Sequence, residues 1–467
     1  MTSRVTTPPD VEFEEIPLYE KRRDIYQKEI SGVWQRMRTV ALFVLAGIYL
    51  VAPWLQWGER QAVWWDLPAR KFHFFGVTFW PQDFILLSWL LITGAFGLFF
   101  FTNLAGRLWC GYGCPQTVWT KFFMWIEWLT EGDRNDRIRL DRGPWTGDKV
   151  RRKGAKHLAW VFFSLVVGTT FVGYFTPIRP LVAGLLTFDA TFAQVAAVVI
   201  FSLPLYLDAG FMREQICKYA CPYARFQGAM FDDNTLTVFY DSRRGEPRGH
   251  RSTKTDPKQA GLGACIDCNL CVQVCPTGID IRDGTQYECI GCAACIDACD
   301  QVMDKMSYPR GLVRYATEKT LIGEPYRLFR PRLFAYASVF LVMLVTLAYG
   351  LVTRVPLELD IIRERTRLFR ETPQGDIENV YRIRVLNMDQ QEHTYVIEVE
   401  GIAGMQLLGE PRVTVPAGEI ADVPLRLQAP AEGLAAGATP ITFVLTSTDE
   451  AGWRLAKESR FMAPVRR

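Results

Sequence analysis

CIDCNLCVQVCPTGIDIRDGTQYECIGCAACIDAC, residues 265–299, decides how this chain is read. It holds two copies of C-x-x-C-x-x-C-x-x-x-C, each offering three thiolates in a tight loop and a fourth that opens a short helix. That spacing is the bacterial two-cluster ferredoxin arrangement, in which the fourth cysteine of each run ligates the other cluster. It assigns Cys265, Cys268, Cys271 and Cys299 to one 4Fe–4S cluster, and Cys289, Cys292, Cys295 and Cys275 to a second. Pro276 follows Cys275 as the pattern asks; Asp300 after Cys299 departs from it but removes no ligand. Zinc is the competing reading, yet its sites take four ligands, usually as two separated pairs. Eight cysteines in triple-spaced runs without a histidine among them point to one-electron transfer.

The 467 residues suffice for two or three domains, and a net charge of +3 leaves no nucleic-acid footprint. Fourteen Trp and 30 Phe point instead to membrane-interface belts and lipid-facing surface. The 12 cysteines fall only in tight groups, which reads as metal ligation in a reducing compartment and not as a disulfide framework. Residues 1–37 form a polar, charged arm, and the first apolar run has no cleavage-site pattern, so a retained anchor is expected.

Five segments are apolar over roughly 20 residues each, the length that crosses a hydrocarbon core. They are Arg38–Trp57, Asp83–Thr102, Leu158–Thr176, Thr191–Ala209 and Leu333–Val352. The loop at 103–157 carries 11 Lys/Arg and the region at 210–332 carries 17, against only Arg60, Arg70, Lys71 and Arg179 in the two opposite loops. The positive-inside rule then places the arm, that loop and the ferredoxin module (about 260–305) in the cytoplasm, with the carboxyl terminus in the periplasm of a bacterial inner membrane. The need of iron–sulfur ligands for reduced thiols independently agrees. After the fifth span, residues 353–374 read as a charged connector. From Gly375 short runs alternate at period two between Gly, Pro, Asn and Asp turns, the pattern of an Ig-like all-β sandwich at 375–467. The expected fold is thus a multi-domain membrane protein: a five-span helical bundle, an inserted two-cluster ferredoxin module and a C-terminal all-β sandwich.

The second and fourth spans run into LWCGYGCPQ and QICKYACPY, which share C-x-Y-x-C-P. Cys110 and Cys114 therefore correspond to Cys217 and Cys221, and the four spans at 38–209 read as two hairpin repeats. If the motif is helical, i, i+4 spacing puts both thiols of each pair on one face, and the proline marks the helix end. Three roles remain open for the quartet: buried structural cysteine, ligation of a further cluster, or a soft-metal or dithiol redox site of the kind that favours Cu(I). The four histidines, His73, His157, His250 and His393, do not suit bis-histidine haem, and C-x-x-C-H is absent. No phosphate-binding glycine motif appears. Asp83, Asp189 and Asp208 sit near span ends, where interfacial solvation is the expected role. His393 and Met388 read as a surface histidine and a core methionine in preference to copper ligands.

The arm LYEKRRDIYQKEISGVWQRMR, the pair GRLWCGYGCPQ and REQICKYACPYARFQGAM, the run CIDACDQVMDKMSYPRGLVRY and VPLELDIIRERTRLFR together resemble the FixG/RdxA/CcoG family. These are accessory proteins of cbb-type cytochrome c oxidase maturation, and the resemblance covers the chain from about Leu18 to the final strands. It implies a membrane-bound cupric reductase that turns Cu(II) into Cu(I) in the cytoplasm, with Cys110, Cys114, Cys217 and Cys221 as the catalytic candidates. The expected partners are membrane lipid, copper ions, the oxidase assembly machinery, an electron donor the sequence does not name and, in principle, a second copy of the chain. The competing class is an electron-relay or assembly-scaffold subunit that passes electrons from a quinol or soluble donor to a partner complex.

Overall fold

The computed structural model describes residues 25–253, 255, 261–364, 366–432, 434–449 and 452–464. Most of the polar arm, including Lys21, Arg22 and Arg23, lies outside the described residues. Five helices are long and apolar enough to cross a membrane: Val33–Trp54, Pro81–Ala105, Gly147–Val172, Phe192–Met212 and Pro331–Val352. They expose Ile85, Leu91, Phe162, Ile200 and Val342, as helices facing lipid should. The third starts earlier than its apolar run. Lys149, Arg151, Arg152, Lys153 and Lys156 continue the same helix below the apolar part, begun at an N-cap where Thr146 accepts from the Lys149 N–H.

Spans three and four pack as the expected hairpin, but spans one and two do not: span two lies on span five, while span one meets chiefly the ferredoxin helix Ala294–Lys305 and the short helix Leu108–Tyr112, and touches span three and the helix Pro115–Glu131 less. Lipid gives helices no hydrophobic reason to associate, so close backbone approach decides the pairs. A Cβ at Gly168 would stand 2.1 Å from Ser202 Oγ, and one at Gly97 would stand 2.9 Å from the Phe340 ring. Gly168 thus sits in the expected hairpin of spans three and four, while Gly97 marks the pairing of spans two and five that motif order does not show.

On the face opposite the ferredoxin module, strands Val63–Asp66, Lys71–Phe74 and Val77–Phe79 form a small antiparallel sheet. Buried Gln61 seats the chain entering it, donating to Val63 O and Gly173 O and accepting from Ile178 N–H. Asp83 is not merely solvated: Arg354 holds both its oxygens, at 2.8 and 2.6 Å, and so ties the start of span two to the end of span five.

On the ferredoxin side the loop at 103–157 is itself structured. Helix Pro115–Glu131 carries Lys121, Glu127 and Glu131 into the interior. Each charge finds a partner there: Lys121 with Glu29, Glu127 with Arg137 and Arg213, Glu131 with Lys153 and Lys156. Breaking one partner out of such a buried pair leaves an uncompensated charge, which typically costs about 3–5 kcal/mol.

The sandwich begins earlier than expected. Leu357–Arg363 is a strand paired with Ile377–Asn387, so most of the supposed connector belongs to the domain. Leu357 and Leu359 alternate inward with Glu358 and Asp360 outward, and the charged residues hid a period-two strand. One sheet orders Gln406–Leu408, Ile420–Ala429, Ile377–Asn387 and Leu357–Arg363, with Arg370–Glu371 alongside Ile377–Asn387. The other orders Arg412–Val415, His393–Glu400, Gly437–Ser447 and Arg454–Ala463. Tyr381, Tyr395, Phe443 and Phe461 fill the space between. The domain leans on the small outer sheet through Lys71 Nζ to Gly418 O, 2.7 Å, and through Gln390 to Gly76 O.

His393 is buried, not on the surface. Its Nε2 meets Asp389 at 2.8 Å and its Nδ1 meets Asp449, with Trp453 edge-on to the ring. Met388 is a core residue, as expected. Burial pushes the imidazole down, but the two carboxylates outweigh it and hold the pKa above the ordinary histidine value. Both ring nitrogens can donate only when the ring is charged.

Two predictions follow from these contacts. A group whose folded pKa is raised stabilises fully below its unfolded value, about 6.5, and loses that contribution as pH rises through the folded pKa. Amide exchange in the 387–392 turn, corrected for intrinsic rate, should therefore accelerate as pH climbs from that value, and His393→Asn should flatten the dependence. The second concerns Asp297 of the ferredoxin helix, whose carboxylate accepts from the N–H groups of Trp34 (3.3 Å) and Gln35 (2.7 Å) and so caps span one. Asp297→Ala should cost about 1 kcal/mol, read as a lower thermal midpoint, with Asp297→Asn falling between.

Candidate metal centres

The ferredoxin module is framed by the antiparallel pair Thr237–Tyr240 with Val313–Ala316 and by helices Leu270–Gln273 and Ala294–Lys305. The third cysteine of each run, not the fourth, sits in the opening turn of its helix: Cys271 in the first and Cys295 in the second. Cys299 is one turn further along the longer helix, and Cys275 falls just past the end of the shorter one. The two loops share a backbone. Asp267 and Gly291 occupy equivalent positions with φ of 54° and 65°, and Asn269 and Ala293 do so with 57° and 59°. Left-handed residues at these points turn the chain around the sulfurs and aim backbone N–H groups inward.

Cys265, Cys268, Cys271 and Cys299 line one cavity. Cys275, Cys289, Cys292 and Cys295 line a second, with Cys271 on the wall between. The sulfurs thus gather in the crossed sets that the spacing implies, and the walls are mostly apolar: Val302, Met303 and Leu312 around the first, where Arg282 also enters, and Val238, Ile279 and Ile281 around the second. A thiol-only donor set in an apolar shell fits a 4Fe–4S cluster in each cavity. Burial pushes Cys271, Cys289 and Cys299 up to about 12 and Cys295 well above the ordinary thiol value.

The second set is pressed onto the membrane part. A Cβ at Gly111 would lie 2.9 Å from Ile290 O and 3.0 Å from Cys292 Cα, so glycine is what lets the first C-x-Y-x-C-P motif touch this loop. Cys110 packs in the same cluster as Cys292, Cys295 and Ile290. Arg107 reaches across from the end of span two to Tyr287 O and to Ala224 O, at 2.7 Å to the latter, and Tyr315 donates to Gly291 O at 2.6 Å. The first set faces away, with Cys268 exposed.

The C-x-Y-x-C-P motifs are not continuous helices. Cys110 lies in the short α-helix Leu108–Tyr112, and Cys217 in a π-helical turn, Ile216–Ala220. Cys114 and Cys221 are both extended residues that break the helix, and the proline after each occupies the first position of the next one, Pro115–Glu131 and Pro222–Met230. Proline there begins a helix instead of ending one, because its missing N–H would be unpaired anyway. Even so, the four thiols come together, each within electrostatic reach of the other three. All are partly buried and none forms a disulfide. Burial pushes Cys110 and Cys114 up and Cys217 to about 12. Gln116 joins the two repeats by donating to Asp208 (2.8 Å) and Arg213 O (3.2 Å). Gln227, fully buried, directs its amide at Cys110 Sγ, 3.3 Å away. Arg107, Gly111, Gln227 and Asp297 had no sequence signal beyond their nearness to cysteines.

Two family models match the chain: a 4Fe-4S dicluster domain over residues 212–318, and the domain described as "IG-like fold at C-terminal of FixG" over residues 347–464. Protein RdxA of Cereibacter sphaeroides is 41% identical over 456 residues, covering 93% of this chain and 95% of its own. Nitrogen fixation protein FixG of Rhizobium meliloti is 39% identical over 433 residues, covering 84% and 83%. Among solved structures, a FixG-related protein from Vibrio parahaemolyticus aligns with 32% identity over 23% of this chain and 97% of its own, at a TM-score of 0.22. Matched over 95% of the first relative and 83% of the second, and itself joining a dicluster module, five apolar helices and an Ig-like tail, the chain belongs to the FixG/RdxA/RdxB family of iron–sulfur membrane oxidoreductases.

Proposed function

We propose that the protein is a membrane-bound cupric reductase, turning Cu(II) into Cu(I) on the cytoplasmic side for assembly of a cbb-type cytochrome c oxidase. In this reading Cys265, Cys268, Cys271 and Cys299 ligate one cluster, and Cys289, Cys292, Cys295 and Cys275 the other. Cys110, Cys114, Cys217 and Cys221 form the terminal station, where the electron leaves the protein for copper. The observation that carries the reading is the packing of Gly111 against Cys292, which sets the quartet directly on the second ligand loop. The clusters supply single electrons, the number that the Cu(II)/Cu(I) couple takes.

The chain's own residues keep that path short and dry. Arg107 and Tyr315 fix the loop carrying Gly291, Gln116 and Asp208 hold the two motifs in register, and Asp297 locks the ferredoxin helix to span one.

Anaerobically purified protein, reduced with dithionite and freed of excess reductant, is to be mixed with Cu(II) and a chromogenic Cu(I) chelator. Cu(I) should appear in step with recovery of the iron–sulfur absorbance that dithionite had bleached. Cys275→Ser and Cys299→Ser should abolish it without harming membrane insertion. Intact clusters that stay reduced in the presence of Cu(II) would instead favour the relay or scaffold role, with the sandwich docking the partner.

A further inference from the structure

We propose that Cys110, Cys114, Cys217 and Cys221 hold a third iron–sulfur cluster, of the 4Fe–4S class. The inference deepens the reductase reading, on which the position of this centre in the electron path rests; whether iron is present is tested apart from copper chemistry.

The argument starts from the donor set. Two thiols come from each of two matching motifs, no imidazole or carboxylate intrudes as a ligand, and none of the four is in a disulfide. Contacts across the two motifs bring the pairs together: Gln116, two residues after Cys114, donates to Arg213 O, four residues before Cys217, and Gln227, on the helix that follows Cys221, donates to Cys110 Sγ.

The surroundings supply what sulfur ligands of a cluster need. Cys114 and Cys221 each cap a helix, of 17 and 9 residues, whose positive end faces the thiolate. The backbone N–H groups of Gln116 and Thr117 point at Cys114. The amide of Gln227, with no exposed surface, points at Cys110. Hydrogen bonds to sulfur and burial are the levers by which a protein sets a cluster's potential.

Electron counting gives the third strand. Thiols alone change redox state by closing a disulfide, which releases two electrons and two protons per pair. The dicluster module delivers electrons singly, and Cu(II) accepts one. Cys110, Cys114, Cys217 and Cys221, holding a 4Fe–4S centre, would give the path a one-electron station between the neighbouring cysteine set and Cu(II), with no bond made or broken in the protein. The motif's tight contact with Cys292 keeps the step between centres short.

Iron and acid-labile sulfide are to be counted on full-length protein purified anaerobically in detergent. Three clusters of four predict about 12 of each per chain, against about 8 for the dicluster module alone. Cys110→Ser combined with Cys217→Ser should remove about 4 iron atoms while the dicluster EPR signals remain. Should that double variant fail to fold, Gln227→Leu provides the second arm. In a potentiometric EPR titration, wild type should show three one-electron centres, and Gln227→Leu should lower the midpoint of one of them only. A wild-type count of about 8, or two centres unaffected by Gln227→Leu, overturns the proposal, as does one tightly bound copper in place of the extra iron. A third centre in protein that fails to reduce Cu(II) would sink the reductase reading and leave this one standing.

Discussion

The approach of Gly111 to the peptide between Ile290 and Cys292 is the constraint around which the membrane part and the ferredoxin module are arranged. A side chain at 111 would push the two apart by more than neighbouring backbone can yield, since what it meets is carbonyl oxygen and Cα rather than a flexible side-chain end. Around this contact the chain adds polar anchors with no slack. Arg107 grips Tyr287 O and Ala224 O, Arg38 donates to Gly111 O at 3.1 Å, and Thr117 donates to Cys110 O at 2.5 Å. Each is a buried or part-buried group whose loss leaves an unpaired partner, so the interface resists small displacements more strongly than its apolar area alone would.

The insertion of the module between spans four and five follows the same logic. Its amino-terminal flank leaves through the π-helical turns at Asp208–Met212 and Ile216–Ala220, and its carboxyl-terminal flank returns through Arg330. Arg330 pairs with Asp232 and donates to Asn103 O at 2.6 Å. Thr235 bonds the same carbonyl at 3.1 Å. The end of span two is thus the common anchor for both flanks. Lys and Arg on this side also settle the interior of helix Pro115–Glu131: Arg137 and Arg213 neutralise Glu127, Lys153 and Lys156 neutralise Glu131, and Lys121 of the same helix pairs with Glu29.

Cysteine spacing made the dicluster module legible because metal ligation demands fixed offsets along the chain. Span existence was legible for a similar reason, since lipid demands about 20 apolar residues. What escaped was whatever depends on distant residues. Leu357 and Leu359 sit among enough charge to read as a connector, and only pairing with Ile377–Asn387 makes them a strand. Gly97 marks where span two meets span five, but a glycine in an apolar run looks the same whether it faces Phe340 or lipid. The proline of C-x-Y-x-C-P is ambiguous locally, because the same residue can follow a helix or begin one. His393 read as a surface residue because the carboxylate on its far side, Asp449, comes from 56 positions away.

The two copies of the ferredoxin run have diverged where their surroundings differ. At equivalent left-handed positions the first copy has Asp267 and the second Gly291. Asp267 faces outward, where Arg282 holds it at 2.5 Å and the exposed His250 lies 3.7 Å away. Gly291 faces inward, where a Cβ would come 3.3 Å from the Arg107 backbone. A left-handed aspartate is tolerable when its side chain can reach polar partners in the loop. Against the membrane part there is no room for one. The sequence difference at this single matched position therefore records which copy faces solvent and which is seated on the spans. The cysteines are ordered accordingly, from the exposed Cys268 through the shared wall at Cys271 to Cys292 and the quartet beyond.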